Sequence, residues 1–120
     1  MIGQRDRRAL QQPAGGLHDS VAFDAPVYDA RGSLTGMQHD ALRCSGHIRY
    51  LRGGEAVQAA RLDGRQPVVV TIRRNSVADT VNSDWVMRDA RRGTVFNIRS
   101  VVPTEDRQWL EITAESGVAT

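Results

Sequence analysis

Apolar residues recur at every second position in six short segments of this 120-residue chain, and the one helix-like segment is barely two turns long. Such a period of two marks strands with one buried and one wet face, and so rules out a helix bundle. The clearest case is Asp40 to Leu51, where Leu42, Cys44, Ile48 and Tyr50 share a face opposite Arg43, Ser45, His47 and Arg49. Gly46 falls on the apolar face and predicts a bulge or a close backbone contact there. Ser20 to Tyr28 alternates in the same way, but Pro26 lacks a ladder donor and makes this an edge or bulged strand. Between the two, Asp29-Ala30-Arg31-Gly32 reads as a turn followed by a loop containing Gly36.

Pro67 to Arg73 is the densest run of branched residues and predicts a strand at the centre of the sheet. Trp85 to Arg88, Thr94 to Val102 and Trp109 to Ala114 supply three more strands, with turns at Asp89 to Gly93 and Pro103 to Asp106. In the Thr94 to Val102 strand, Phe96 and Ile98 share one face while Val95, Asn97, Arg99 and Val101 share the other. Glu55 to Leu62 has helix composition, though it is too short to persist alone. The resulting expectation is a mainly β fold, a small antiparallel β-barrel of about six strands with one short helix. Its domain spans residues 17–120 and follows a flexible Arg-rich arm over residues 1–16.

All 16 basic residues are Arg, interleaved with 10 Asp and 4 Glu to a net charge of +2. That balance invites a nucleic-acid reading without carrying one. Cys44 is the sole cysteine, which excludes an intrachain disulfide and fits a reducing cytoplasm. No stretch has the length of a signal peptide's apolar core or of a membrane span, so a membrane is not expected among the partners.

Residue chemistry argues against an active site. His39, Cys44 and His47 are zinc-ligand types, yet Cys44 and His47 lie an odd number of positions apart and point to opposite faces of an unbroken strand. His39 and His47 would stand about 26 Å apart on it. Neither His18-Asp19 nor His39-Asp40 makes a catalytic pair, because neighbours on a strand splay apart. No nucleophile elbow or phosphate-binding glycine loop is present. The expectation is therefore no enzyme, no cofactor, no metal and no small-molecule substrate. Trp85 and Trp109 are expected in packing rather than base stacking, since six aromatics in all make a thin platform.

In the second half, Gly54-Glu55 opens a short helix, a strand runs from Val68 to Arg73, and a hairpin leads into Gly93-Thr94-Val95-Phe96-Asn97-Ile98-Arg99-Ser100-Val101. Pro103, Asp106-Arg107 and Trp109-Leu110-Glu111-Ile112 complete the order. This resembles the phage head-tail joining family, also called head-closure, stopper or head-tail adaptor proteins, which occurs in phages, prophages and gene transfer agents. The resemblance runs from about Val21 to Glu115 and departs at the long Arg-rich start.

It implies a virion connector built in a bacterial cytoplasm: a six-fold or twelve-fold ring in the particle neck, with a portal or adaptor protein above and a tail protein below. Double-stranded DNA would pass through its channel, which some members obstruct with a loop. The residues expected to make contacts are Gly53, Gly54, Glu55, Gln58 and Arg61 in the short-helix segment, whose flanking glycines let the backbone pivot, and Arg73 and Arg74 after the central strand. The rival reading is a small OB-like nucleic-acid-binding barrel. It predicts salt-dependent binding to single strands, where a connector predicts self-association.

Overall fold

In the computed structural model, which describes residues 17–117, six antiparallel strands close into a barrel in the order β1-β2-β3-β6-β5-β4. The strands are β1 (Asp19–Tyr28), β2 (Leu34–Tyr50), β3 (Gln66–Arg73), β4 (Val86–Asp89), β5 (Val95–Pro103) and β6 (Trp109–Ser116). The single helix, α1, is Glu55–Leu62, and a 3₁₀ turn covers Ala78–Thr80. The alternating residues meet inside: Val21 and Phe23 from β1, Val68, Val70 and Ile72 from β3, Met87, Phe96 and Ile112 are all fully buried. Closure leaves β3 paired with β6 along its whole length and with β2 from Val68 to Ile72.

Gly46 makes the close contact its position predicted. A Cβ there would lie 2.7 Å from Val21 Cγ2, closer than carbon atoms approach, and 3.2 Å from the Thr71 carbonyl oxygen. The missing side chain lets β1 and β3 both pack onto β2. Pro26 also behaves as expected, in a strand whose pairing with β2 shifts register between Phe23 and Ala25 and again between Val27 and Tyr28.

Two expectations need correction. Gly36 lies not in a loop but in β2, which starts at Leu34 and pairs Val27 with Gly36 and Pro26 with Met37. The polar character of 34–40 reflects solvent on both faces of a hairpin rather than absence of a strand. Val101 packs against the core, on the side of Phe96 and Ile98, because a register shift between Ile98 and Ser100 inserts one residue and reverses the alternation beyond it.

Candidate interaction surfaces

The short-helix segment stands at the end of the barrel where β3 begins. Gly54 caps α1 with φ 89 and has no side chain to offer, so its carbonyl accepts the Gln58 N–H at 3.0 Å while Gln58 Nε2 donates to the Arg52 carbonyl at 2.8 Å. At the other end Asp63, Gly64 and Arg65 donate their N–H groups back to α1 carbonyls. Ala60 alone is buried, while Glu55, Gln58 and Arg61 are exposed and Leu62 is 87% exposed. The helix is thus held by its ends and presents nearly its whole surface.

Arg73 and Arg74 sit at the opposite end of β3, so the structure does not bring them together with Gly53, Gly54, Glu55, Gln58 and Arg61. β3 separates the two groups by about 23 Å. Arg73 lies over the Trp109 ring, 5.2 Å from its centroid, and Arg74 Nε donates to Asp79 at 2.8 Å. Trp109 is 5% exposed and Trp85 packs half-buried against the core. The Trp109 ring, buried and covered by Arg73, offers no open face for base stacking.

The third surface was not legible as such. β4 pairs with β1 only as far as Asp24, and β3 pairs with β2 only from Gly46 onward. Beyond those points β1 and β2 have only each other, and every residue from Val27 to Asp40 is exposed. This free-standing hairpin, the arm, carries Pro26 opposite Met37 and Tyr28 opposite Leu34, cross-strand pairs that share one face.

A polar clamp fixes the base of the arm. Arg88 of β4 donates through Nε and Nη2 to Asp24 of β1, at 3.2 and 2.8 Å, and through Nη2 to Asp40 of β2. Asp24 also accepts the Asp40 N–H at 3.0 Å, and Asp40 holds φ 55, a left-handed conformation that bulges the strand. That bulge overturns the expected splaying of His39 and Asp40: both approach Arg88 Nη2, which lies 3.4 Å from either His39 ring nitrogen. The Arg88 guanidinium holds the Asp24 and Asp40 carboxyls below the usual carboxylate range, and they in turn raise its own pKa.

Asp24, His39 and Asp40 are also the cluster with metal-ligand reach among the described residues, but the guanidinium occupies the position a cation would take. Of the zinc-ligand types His39, Cys44 and His47, Cys44 packs against the barrel core while His39 stands beside Arg88 at the base of the arm. The only sequence signal for the clamp was Asp24, one acidic residue inside the run from Val21 to Val27. Its partner Arg88 is 64 positions away and no local pattern connects them.

A buried acid, Glu115, accepts from Arg99 Nε at 2.8 Å and lies 3.4 Å from Arg65 Nη1, which ties β6 to β5 and to the residue before β3. Asp89 is buried in the β4–β5 turn, where it accepts the N–H groups of Arg91 and Arg92 at 3.0 and 3.2 Å. Burial raises the Asp89 pKa, but these donors and the Arg92 side chain outweigh it and leave the carboxyl below its ordinary value. Both acids are fully engaged in holding strands and turns.

Comparison with known proteins follows this architecture. The description "Phage head completion protein" belongs to a family model that matches residues 12–117. Protein SF1141 from Shigella flexneri 2a, solved in solution, shares the fold with TM-score 0.61 at 18% identity, over 89% of this chain and 98% of that one. A chain in the virion of a native gene transfer agent particle aligns with TM-score 0.56, also at 18% identity, over 86% and 97%. No curated protein matches. Identities this low speak for the barrel alone, whereas the family model spans nearly the whole chain: the chain belongs to the phage head completion protein family, whose members are structural components of the virion.

Proposed function

We propose that this chain is a non-enzymatic connector subunit in the neck of a tailed-phage-like particle, where copies form a ring between portal and tail and extend or close the DNA channel. The observation that carries the reading is the family match over residues 12–117. The fold suits the role. A closed barrel is stable without its neighbours, so contacts can be made by what stands outside it: α1 at one end and the arm beyond β4. Among the described residues, Arg65, Arg74, Arg88, Arg92 and Arg99 are bound to carboxylates of the same chain. These side chains are engaged within the chain, and tight phosphate clamps by the others would oppose sliding DNA.

Within this reading, the segment Gly53 to Gln66 faces the channel or the adjoining ring, where it seals the neck or supports docking. Its support is the exposed helix with one buried residue. Replacing Glu55 to Arg61 with a Gly/Ser linker of equal length tests it. The barrel should keep its cooperative melt while particles leak DNA or fail to acquire tails. Normal particles from that variant, or loss of the barrel's own melt, would reduce α1 to a barrel cap. Imaging of the particle neck with the subunit located tests the wider proposal. Salt-dependent binding of free single-stranded DNA by the purified protein would favour the OB-type reading instead.

A further inference from the structure

We infer that the arm is a lever hinged at its base, and that Arg88 is the latch that sets its angle. The hinge shows in the register. Phe23 pairs with Leu42 and Ala25 with Gln38, so between these pairs β1 carries Asp24 alone while β2 carries His39, Asp40 and Ala41. The ladder is interrupted there. Asp40 takes up the excess chain with φ 55, a left-handed conformation disfavoured for a residue that has a Cβ. Hinges are built this way, from a few residues that absorb a large change in backbone angles between two stiff bodies.

Both bodies are stiff here. On one side of the hinge stands the closed barrel. On the other, the arm is held by its own ladder, from Ala25 opposite Gln38 to Tyr28 opposite Leu34. Its tip is tied by Asp29, whose carboxyl accepts the N–H groups of Arg31 and Ser33 and whose own N–H donates to the Ser33 carbonyl, each at 2.9 Å. Every residue from Val27 to Asp40 is exposed, so packing against the barrel does not fix the arm's direction.

The clamp fixes it instead. Arg88 belongs to β4 in the barrel wall, and its Nη2 donates both to Asp24 and to Asp40 in the hinge. Asp24 also accepts the Asp40 N–H at 3.0 Å, so the backbone and the side chain of the left-handed residue are both held. His39 and Arg43 come within 3.8 Å of the Asp40 carboxylate as well, but they lie on β2 itself and cannot tie it to the wall. Released from Arg88, Asp40 returns to negative φ and the arm turns with it. The tip stands about 20 Å beyond the hinge, roughly six residues at the rise of a strand, so a turn of about 30° carries it about 10 Å. Arg88 is thus a positioning residue: it presents the arm at one angle before a partner arrives, which spares binding the ordering of the arm. The latch acts within one chain, whatever the arm meets.

Spin labels on Arg31→Cys at the tip and Gln108→Cys in the β5–β6 turn, in the full chain with Cys44→Ala, report the angle as a distance by pulsed electron spin resonance. With Arg88 in place the pair should give one narrow distribution. Arg88→Ala should at least double its width or move its mean. Asp40→Gly should do the same, since it keeps a backbone free to be left-handed but removes the latched carboxylate. In both variants the Asp29 amide, bonded to the Ser33 carbonyl, should exchange as slowly as in the parent. An unchanged distribution in both would overturn the latch, because the backbone alone would then set the angle. A broad distribution with Arg88 in place would overturn it too. So would faster exchange at Asp29 in the variants, which would mean that the arm unfolds rather than turns.

Discussion

The second half of β2 and β3 carry the same alternating pattern, yet β2 is half free-standing and β3 lies in the barrel wall. β3 is paired with β6 from Gln66 to Arg73 and with β2 from Val68 to Ile72, and Val68, Val70 and Ile72 are fully buried. β2 is paired with β3 over Gly46 to Tyr50 only, and its first seven residues are exposed. Alternation requires a strand, but burial depends on what lies beside it. The two strands divide the labour: one holds the barrel together, and the other extends it into solvent.

The sharpest way to break that division is to remove apolar side chains from both regions. Phe96→Ala inside the barrel should cost about 3 to 5 kcal/mol, since the ring is fully buried. Leu34→Ala on the arm should change stability by no more than about 0.5 kcal/mol. Denaturant melts of the two variants measure both. A Leu34 variant as damaging as the Phe96 variant would mean that the arm folds back onto the barrel.

Gly46 marks the place where the two regions meet, and Gly46→Ala should cost about 1 to 3 kcal/mol by forcing β1 away from β2. The obstructing group is the Val21 methyl at 2.7 Å, so Val21→Ala in the same chain should recover part of the loss. A double variant no better than the sum of the two single ones would place the strain at the Thr71 carbonyl instead.

The sequence disclosed the barrel well and the arm poorly. Period-two alternation, turn residues and Pro26 identified all six strands, because each is a local signal. Gly36 and the polar residues from Thr35 to Asp40 concealed the start of β2: a strand wet on both faces has no alternation to read. The clamp of Asp24, Asp40 and Arg88 was hidden for another reason, since it joins three strands that become neighbours only when the barrel closes. The segment 53–61 and the Arg73-Arg74 pair were legible as exposed or charged positions, but not their separation at opposite ends of β3.

The clamp offers a smaller test. Arg88→Ala should cost about 1 to 3 kcal/mol, because the largely shielded Asp24 carboxylate would lose its charged donor and keep only the Asp40 N–H. Hydrogen exchange should rise first around Ala41 and Leu42 at the base of the arm. Acid should mimic the variant. The folded pKa values of Asp24 and Asp40 lie below their unfolded values, so the clamp's contribution is present above about pH 4 and is lost as pH falls through the folded values. A parent protein whose arm loosens between neutrality and pH 5 would contradict this assignment of the titrating groups.

Cys44 gives the smallest expected effect and separates barrel from arm most finely. It lies in β2 on the barrel side of the Asp40 bulge, partly buried against the core beside Leu42. Burial pushes its thiol up to about 11, so very little thiolate exists at neutral pH and a thiol reagent should react slowly with the folded chain. Cys44→Ala removes one small apolar group and should cost about 1 kcal/mol while leaving assembly intact. Arg88→Ala should leave the thiol protected, because the core contact lies beyond the clamp. Loosening of β2 as a whole would instead speed the reaction, and the arm and barrel would then be one cooperative unit.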